Sequence, residues 1–310
     1  MSIERALELA ERGRGSTHPN PVVGAVVATP GGTIVGEGWH ERAGGPHAEV
    51  VALRAAGGRA KGATLYVTLE PCARFGRTPP CVDAIVGAGV ARVVVAAEDP
   101  SQDGVDRLRE AGVEVEVRDV WEARRQIEAW LTWTKLQRPF VTYKAAVTLD
   151  GRVTIPNERW VSGEESRRLV HGLRAASDAV AVGMGTVRAD DPRLDARDVP
   201  VTRQPRRLAF GLGPLPPGSG LELRRRDPEL ELGALAAEGV QSLLLEGGPT
   251  LATAFVERDL VDKLLLFIAP KLSGAGPRFL HDLTGPKPLG RVSLSRVGDD
   301  VLLEAYIHEP

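Results

Sequence analysis

The sequence predicts a two-domain α/β protein, and three observations carry that expectation. The chain is 310 residues long, about twice an ordinary domain of roughly 150 residues. Short runs rich in Val, Ile and Leu alternate with segments of helical periodicity, which favours a mostly parallel sheet covered on both faces. Hydrophobic content of 43% beside 26% charged residues supplies enough apolar mass for cores of real size.

The elements follow in order. Residues 3–10 place apolar side chains at helical spacing behind Ser2, a competent cap. Residues 22–28 form a β-rich run, and Pro30-Gly31-Gly32 turns the chain back through Thr33-Ile34-Val35 as a hairpin. Residues 48–56 read as a helix stopped by Gly57-Gly58. Strands are expected at 64–69, 92–97 and 113–117, with helices at 80–87 and 105–111 between them. Residues 120–136 read as one longer helix carrying Trp121, Trp130 and Trp133 on a packing or interface face. A second α/β series begins at Phe140, with helices at 164–173, 232–238 and 250–257 and strands at 179–182, 207–210, 242–245 and 263–269. Residues 211–220, GLGPLPPGSG, are loop. The expected division is residues 1–118, a helical linker 119–138, and residues 139–310.

Charge excludes several function classes. The formal net charge of -2 offers no basic excess for nucleic acid. The one dense cationic run, Arg224-Arg225-Arg226, is followed by Asp227 and Glu229 and reads as a solvated turn. No stretch reaches the roughly 18 apolar residues of a membrane span, and the charged N-terminus is unlike a signal peptide. Cytoplasmic residence is the expectation, and there cysteines more often bind metal or do chemistry than form disulfides.

Both cysteines, Cys72 and Cys81, fall in one stretch, EPCARFGRTPPC. His47 and Glu49 precede a helix, Cys72 follows a strand, and Cys81 opens the next helix. His, Cys and Cys are three good zinc ligands, and three protein ligands with an open fourth position describe a catalytic zinc site. A structural zinc site or a disulfide is the competing reading. Glu49, two residues beyond His47, suits a carboxylate that moves protons beside the metal without ligating it. H-x-E followed by P-C and a second Cys is a zinc-deaminase pattern, here with a wider cysteine spacing.

The runs PNPVVGAVV, GEGWHERAGGPHAEV, AKGATLYVTLEPC and FGRTPPC, then TLDGR, TVRADDP and LLEGGPTLA, cover most of the chain. Together they resemble the bifunctional riboflavin-biosynthesis deaminase/reductase family. The resemblance implies a cytidine-deaminase-like zinc domain followed by a dihydrofolate-reductase-like domain. The implied reactions are hydrolytic deamination of a small phosphoribosylaminopyrimidine and NADPH-dependent reduction of its ribosyl group. It implies one Zn2+ per chain on His47, Cys72 and Cys81, with Glu49 catalytic, and it implies NADPH. Neither nucleic acid nor membrane is an expected partner, and a homo-oligomer is. By the same resemblance Asn20, His40, Arg77, Arg174, Leu194, Arg197 and Glu246 contact substrate. Ala146, Trp160, Thr186 and Asp190, with Gly248, Pro249, Thr250, Leu251, Ala252, Thr253 and Ala254, line the NADPH site. The strand–Gly–Gly–helix turn at 245–250 has a physical reading of its own, since backbone N–H groups at a helix start can meet a phosphate.

The chain departs from the family pattern at several points. Ala73-Arg74 stands where Ser-His is usual, so Arg74 and Arg77 would overhang the pocket. Ser101-Gln102-Asp103-Gly104 is a shortened loop. Glu158 replaces a serine two residues before Trp160, and Leu212 stands where a polar cofactor contact is expected. The segment between Arg197 and Glu246 is short, with strand, helix and part of the cofactor wall expected to be missing. Other readings are a deaminase whose reduced C-terminal half serves assembly, a nucleic-acid deaminase, and a non-enzymatic zinc module.

Overall fold

The computed structural model describes residues 2–76 and 78–310, and the chain divides into two units near residue 135. In the first unit the order is α1 (Ser2–Glu11), β1 (Gly24–Ala28), β2 (Ile34–Trp39), α2 (Ala48–Ala56), β3 (Thr64–Val67), α3 (Cys81–Gly87), β4 (Arg92–Val95), α4 (Gly104–Glu110), β5 (Glu114–Val117), α5 (Trp121–Gln126) and α6 (Glu128–Leu136). The strands form one sheet in the order β2-β1-β3-β4-β5.

This sheet is mixed, not mostly parallel as its sequence suggested. β1 runs antiparallel to both β2 and β3, while β3, β4 and β5 are parallel. The hairpin at 29–33 forces the first reversal, and the helix α2 then returns the chain beside the free edge of β1. Residues 120–136 are two helices, broken at Ile127 (φ -117°, ψ 19°). The break turns Ile127 into a cluster with Ile3, Ala123 and Leu131, against which Trp130 packs.

Two glycines bring α2 onto the sheet. A Cβ on Gly36 would stand 2.2 Å from the Ala52 carbonyl, and one on Gly38 would stand 2.6 Å from that of Ala48. No larger residue allows this approach, so the GEG of β2 fixes the helix whose first turn holds the chemistry. Leu65, Val67, Val93, Val95 and Ile85 fill the space beneath, each worth about 1.5–3 kcal/mol when fully buried.

The second unit runs β6 (Phe140–Thr148), α7 (Glu164–Ala176), β7 (Ala179–Gly183), α8 (Met184–Asp190), β8 (Arg206–Phe210), β9 (Glu222–Arg224), α9 (Pro228–Ala237), β10 (Ser242–Leu245), α10 (Pro249–Glu257), β11 (Lys263–Ala269), β12 (Gly290–Val297) and β13 (Asp300–Tyr306). Its eight strands lie in the order β12-β13-β11-β6-β10-β7-β8-β9. This sheet is mostly parallel: every neighbouring pair from β11 to β9 is parallel, and the β11–β13 and β13–β12 pairs are antiparallel.

The segment between Arg197 and Glu246, read as short against the family pattern, carries β8, β9, α9 and β10. Its arginine run is not a free solvated turn. Arg224 meets Glu222, Glu231 and Glu238, and Arg226 meets Glu231, which ties β9 to α9. Buried acids brace the ends of other strands. Asp178 accepts from the N–H groups of Gln241 and Ser242, and Asp262 takes Arg138 and the N–H of Val141.

Candidate active sites

The first candidate site begins at the glycine-seated helix α2. His47 is its N-cap residue and Glu49 lies in its first turn. Cys72 follows β3, and Cys81 is the first residue of α3 behind Pro80. His47 Nδ1 lies 3.5 Å from Cys72 Sγ and 3.3 Å from Cys81 Sγ. All three ligand atoms fall within 4.8 Å of one another. Zinc bonds of about 2.05 Å to nitrogen and 2.3 Å to sulfur at tetrahedral angles would separate N and S by about 3.6 Å, so the donor set fits that ion.

The electrostatics point the same way. The Cys81 N–H donates to Cys72 Sγ at 3.3 Å, and a hydrogen bond from the Cys81 thiol helps pull Cys72 down to about 4. That same hydrogen bond, with burial and the nearby Glu49, pushes the Cys81 thiol far up. Two thiolates and a carboxylate in one buried cluster need a cation to coexist, and a divalent metal ion supplies it. Glu49 is 3% exposed, and burial raises its pKa despite the opposing pull of His47. A carboxyl group so placed holds a proton more readily than an exposed one, as a proton carrier must.

The loop between the cysteines is pinned from α4. Both oxygens of the buried Glu70 carboxylate accept backbone N–H groups, from Asp99 at 3.1 Å and Val105 at 2.9 Å. Gln102 Oε1 accepts the Ala73 N–H at 3.1 Å, so the shortened 101–104 loop serves the ligand loop directly. Arg74 stands 3.9 Å from Asp103 and is largely exposed. Arg77 lies outside the described residues.

Asn20 and His40 meet as a pair beside His47. Asn20 Nδ2 lies 3.1 Å from His40 Nε2, and His40 Nδ1 lies 3.0 Å from the Pro46 carbonyl. Those partners fix the proton on Nδ1 and leave Nε2 to accept, so His40 is neutral, as burial also requires. The His40 and His47 rings are 5.4 Å apart, edge to face. Thr78, which motif reading did not single out, places Oγ1 3.4 Å from His47 Nε2.

The second candidate site sits where β6, β7 and β10 end. Arg174 grips Glu246 through Nε at 2.6 Å and Nη2 at 3.0 Å, and Lys144 reaches the same carboxylate at 3.5 Å. Burial alone would raise Glu246, but Lys144 and Arg174 together hold it below the ordinary carboxylate range. Lys144 had no signal in the sequence beyond being a lysine within an otherwise apolar strand. Arg174 Nη1 and His171 Nδ1 both meet the Asp195 carbonyl at 3.2 Å. The Asp195 carboxylate holds Arg197 at 2.7 Å and Arg193 at 3.0 Å. Leu194 is buried at φ 53°, so its backbone, not its side chain, is what a ligand can meet.

Of the residues assigned to NADPH, some converge and some do not. A Cβ on Gly248 would lie 3.4 Å from Thr186 Oγ1, and one on Gly183 would lie 3.4 Å from Leu251. Thr186 therefore lies against Gly248 and Leu251 against Gly183, a glycine-lined cradle at the ends of β7 and β10. Thr250 and Thr253 use their hydroxyls on His281, Pro249 has no N–H to offer, and Ala252 faces the core. Ala146 packs with Val170, Leu265 and Phe267, Asp190 is exposed at the end of α8, and Ala254 is half-buried in α10. Trp160 is half exposed, with the Arg159 and Arg167 guanidinium groups 5.0 and 5.3 Å from its ring. Glu158 is neutralised by Lys271 at 2.7 Å, which removes the repulsion its charge would exert on a phosphate.

Comparison with known proteins agrees with both halves. The profile of the cytidine and deoxycytidylate deaminase zinc-binding region matches residues 2–97, and that of the RibD C-terminal domain matches residues 139–211 and 219–303. The riboflavin biosynthesis protein RibD of Aquifex aeolicus is 43% identical, covering 88% of this chain and 87% of its own. The chain belongs to the RibD family. RibD of Escherichia coli is 38% identical over 97% of both chains. Among solved structures, RibD of Acinetobacter baumannii superposes with a TM-score of 0.85 at 36% identity, covering 98% of this chain and 97% of that one. A diaminohydroxyphosphoribosylaminopyrimidine deaminase/5-amino-6-(5-phosphoribosylamino)uracil reductase of Thermotoga maritima gives 0.84 at 33% identity, with the same coverage. Membership brings a zinc-binding deaminase half and an NADPH-dependent reductase half, and each finds a fitting donor set or cradle in this chain.

Proposed function

We propose a division of labour along the chain: residues 1–118 deaminate, 119–138 link, and 139–310 reduce. The chain is a bifunctional enzyme of riboflavin biosynthesis. Its substrate on this reading is 2,5-diamino-6-(5-phosphoribosylamino)pyrimidin-4(3H)-one, whose ring amino group leaves as ammonia before the ribosyl group becomes ribityl. The observation that carries this reading is the presence, in one chain, of the His47–Cys72–Cys81 donor set beside a buried Glu49 and of the Lys144–Arg174–Glu246 centre beside a glycine-lined cradle.

In the first half, His47, Cys72 and Cys81 would hold zinc, which would supply an acidified water at neutral pH. Glu49, buried beside that donor set with its pKa raised, is the group that would accept a proton there and hand it to the departing amine. Neutral His40, held by the Pro46 carbonyl, braces Asn20 at the pocket that would take the pyrimidine. In the second half, NADPH supplies the hydride. Arg174 and Lys144 keep Glu246 ionised and fixed, so the carboxylate can orient the sugar hydroxyls toward the cofactor. Arg197, steadied by Asp195, is a donor for the ribose phosphate.

Among the described residues no helix is long and apolar enough to cross a membrane. We infer a cytoplasmic homo-oligomer that acts on a small molecule and needs no nucleic acid. The match along both halves argues against a C-terminal half kept for assembly alone. A coupled assay on the diamino substrate, with and without NADPH, tests the reading. Ammonia release should not need NADPH, and NADPH oxidation should follow deamination. Ammonia release with no substrate-dependent NADPH oxidation and no saturable NADPH binding would sink the bifunctional reading.

A further inference from the structure

The cofactor wall of the second half has a gap in its chemistry. Leu212, in the loop after β8, puts an exposed apolar side chain where the family resemblance calls for a polar contact. Arg188, on α8, lies against that loop. Its Nη2 donates to the Leu212 carbonyl at 2.9 Å.

The loop is shaped to receive the side chain. Gly211 and Gly213 flank Leu212 at φ 129° and 111°. A Cβ on Gly213 would lie 3.0 Å from Arg188 Nη2, and one on Gly211 would lie 3.1 Å from Met184 Cγ. Met184 and Arg188 are four residues apart on α8, so one helix face is seated on two glycines. The same short helix carries Thr186, which borders the Gly248 cradle. All of this stands at the carboxyl ends of β7, β8 and β10, which are parallel and adjacent. The crevice outside the carboxyl ends of parallel strands is where open α/β sheets bind dinucleotides.

Anchoring Nη2 leaves Nη1 and Nε of Arg188 facing solvent on an exposed side chain. A guanidinium held this way matches the oxygens of a phosphomonoester in a two-point fork. An arginine at the cofactor wall is the usual means of accommodating the ribose 2′-phosphate that distinguishes NADPH from NADH.

We propose that Arg188 is the specificity-determining residue for the dinucleotide: it binds the 2′-phosphate of NADPH and takes over the polar role that Leu212 does not fill. This rests on the reading of the second half as an NADPH reductase.

The test is steady-state reduction of the deaminated substrate with NADPH and with NADH, using the full-length zinc-loaded protein. Wild type should prefer NADPH. Arg188→Ala should lower kcat/KM for NADPH by about 10- to 100-fold, the scale of a lost charge-assisted phosphate fork, and leave the NADH value within about threefold. Arg188→Lys, which keeps the charge but not the fork, should fall between them. By titration calorimetry, adenosine 2′,5′-bisphosphate should bind wild type at least tenfold tighter than 5′-AMP, and Arg188→Ala should erase that difference. The thermal melt of the reductase half reports whether each variant has folded. An unchanged NADPH/NADH ratio in well-folded Arg188→Ala overturns the proposal and leaves the reductase reading standing. Wild type that binds and oxidises neither dinucleotide overturns both.

Discussion

Arg174 and Glu246 form a two-point ion pair across the second sheet, with Nε on Oε1 at 2.6 Å and Nη2 on Oε2 at 3.0 Å. Both side chains are largely withdrawn from water, at 14% and 9% exposure. Removing one partner strands a buried charge, which costs more than the pair itself contributes. Arg174→Ala should therefore destabilise the reductase half by about 3 kcal/mol and abolish most NADPH oxidation, as read by thermal melts and the coupled assay. A variant that melts like wild type would show that Lys144 alone suffices.

The same pair sets a pH dependence. Burial works against the Glu246 carboxylate, but Lys144 and Arg174 leave its folded pKa below the ordinary value of 4.5. A depressed carboxylate pKa contributes stability that is fully present above the unfolded value and is lost as pH falls through the folded one. The reductase transition of wild type should lose midpoint temperature below about pH 4.5, and Glu246→Gln should flatten that fall. An equal slope in both proteins would assign the acid lability elsewhere.

Glu49 is buried beside Cys81, with which it shares a hydrogen bond, and its work is with protons. Glu49→Gln keeps the shape and removes the base. Ammonia release should drop by about 10²–10⁴-fold, with zinc content near one per chain and NADPH oxidation of pre-deaminated substrate unchanged. Retained deamination would remove Glu49 from the mechanism.

Glycines separate two kinds of position. A Cβ on Gly104 would stand 1.9 Å from the Pro71 carbonyl, so Gly104→Ala must push α4 off the cysteine loop. Overpacking of this kind costs about 1–3 kcal/mol, and zinc affinity should fall with it. Gly172, inside α7 with nothing within 4 Å of its virtual Cβ, is the opposite case. Gly172→Ala should raise stability by about 0.5–1 kcal/mol. Denaturant titrations with zinc quantified in parallel distinguish the two.

What the sequence revealed follows from which physics is local. The zinc set was legible because His47, Cys72 and Cys81 each stand at an element boundary within a spaced pattern. The hairpin and the Gly-Gly turn were legible because turn chemistry is written in adjacent residues. β12 and β13 were not recognised. β12 is exposed along nearly its whole length, so no buried face imposes a hydrophobic pattern. The break at Ile127 has no glycine or proline to announce it; the pull of the Ile3–Leu131 cluster decides it. Lys144 was hidden in a buried strand, and the docking of Arg188 on Leu212 joins residues 24 positions apart, a distance no motif spans.

The Asn20–His40 pair offers the sharpest test of the first pocket. Asn20 donates to His40 Nε2 only while that nitrogen is unprotonated, and the Pro46 carbonyl takes the Nδ1 proton. Burial already lowers the His40 pKa, so the wild-type ring stays neutral at pH 7. Asn20→Asp would place a carboxylate where the amide was and favour the imidazolium. The His40 pKa, followed by NMR in the zinc-loaded protein, should rise. The new carboxylate and the charged ring it favours would put charge where a neutral amide and imidazole stood beside the pocket, so KM for the diamino substrate should rise, by about tenfold. Asn20→Ala, which only removes the donor to the neutral ring, should raise KM similarly and lift the His40 pKa less than Asn20→Asp does. If KM follows neither variant, the pair is a structural brace and the pyrimidine is read by other groups.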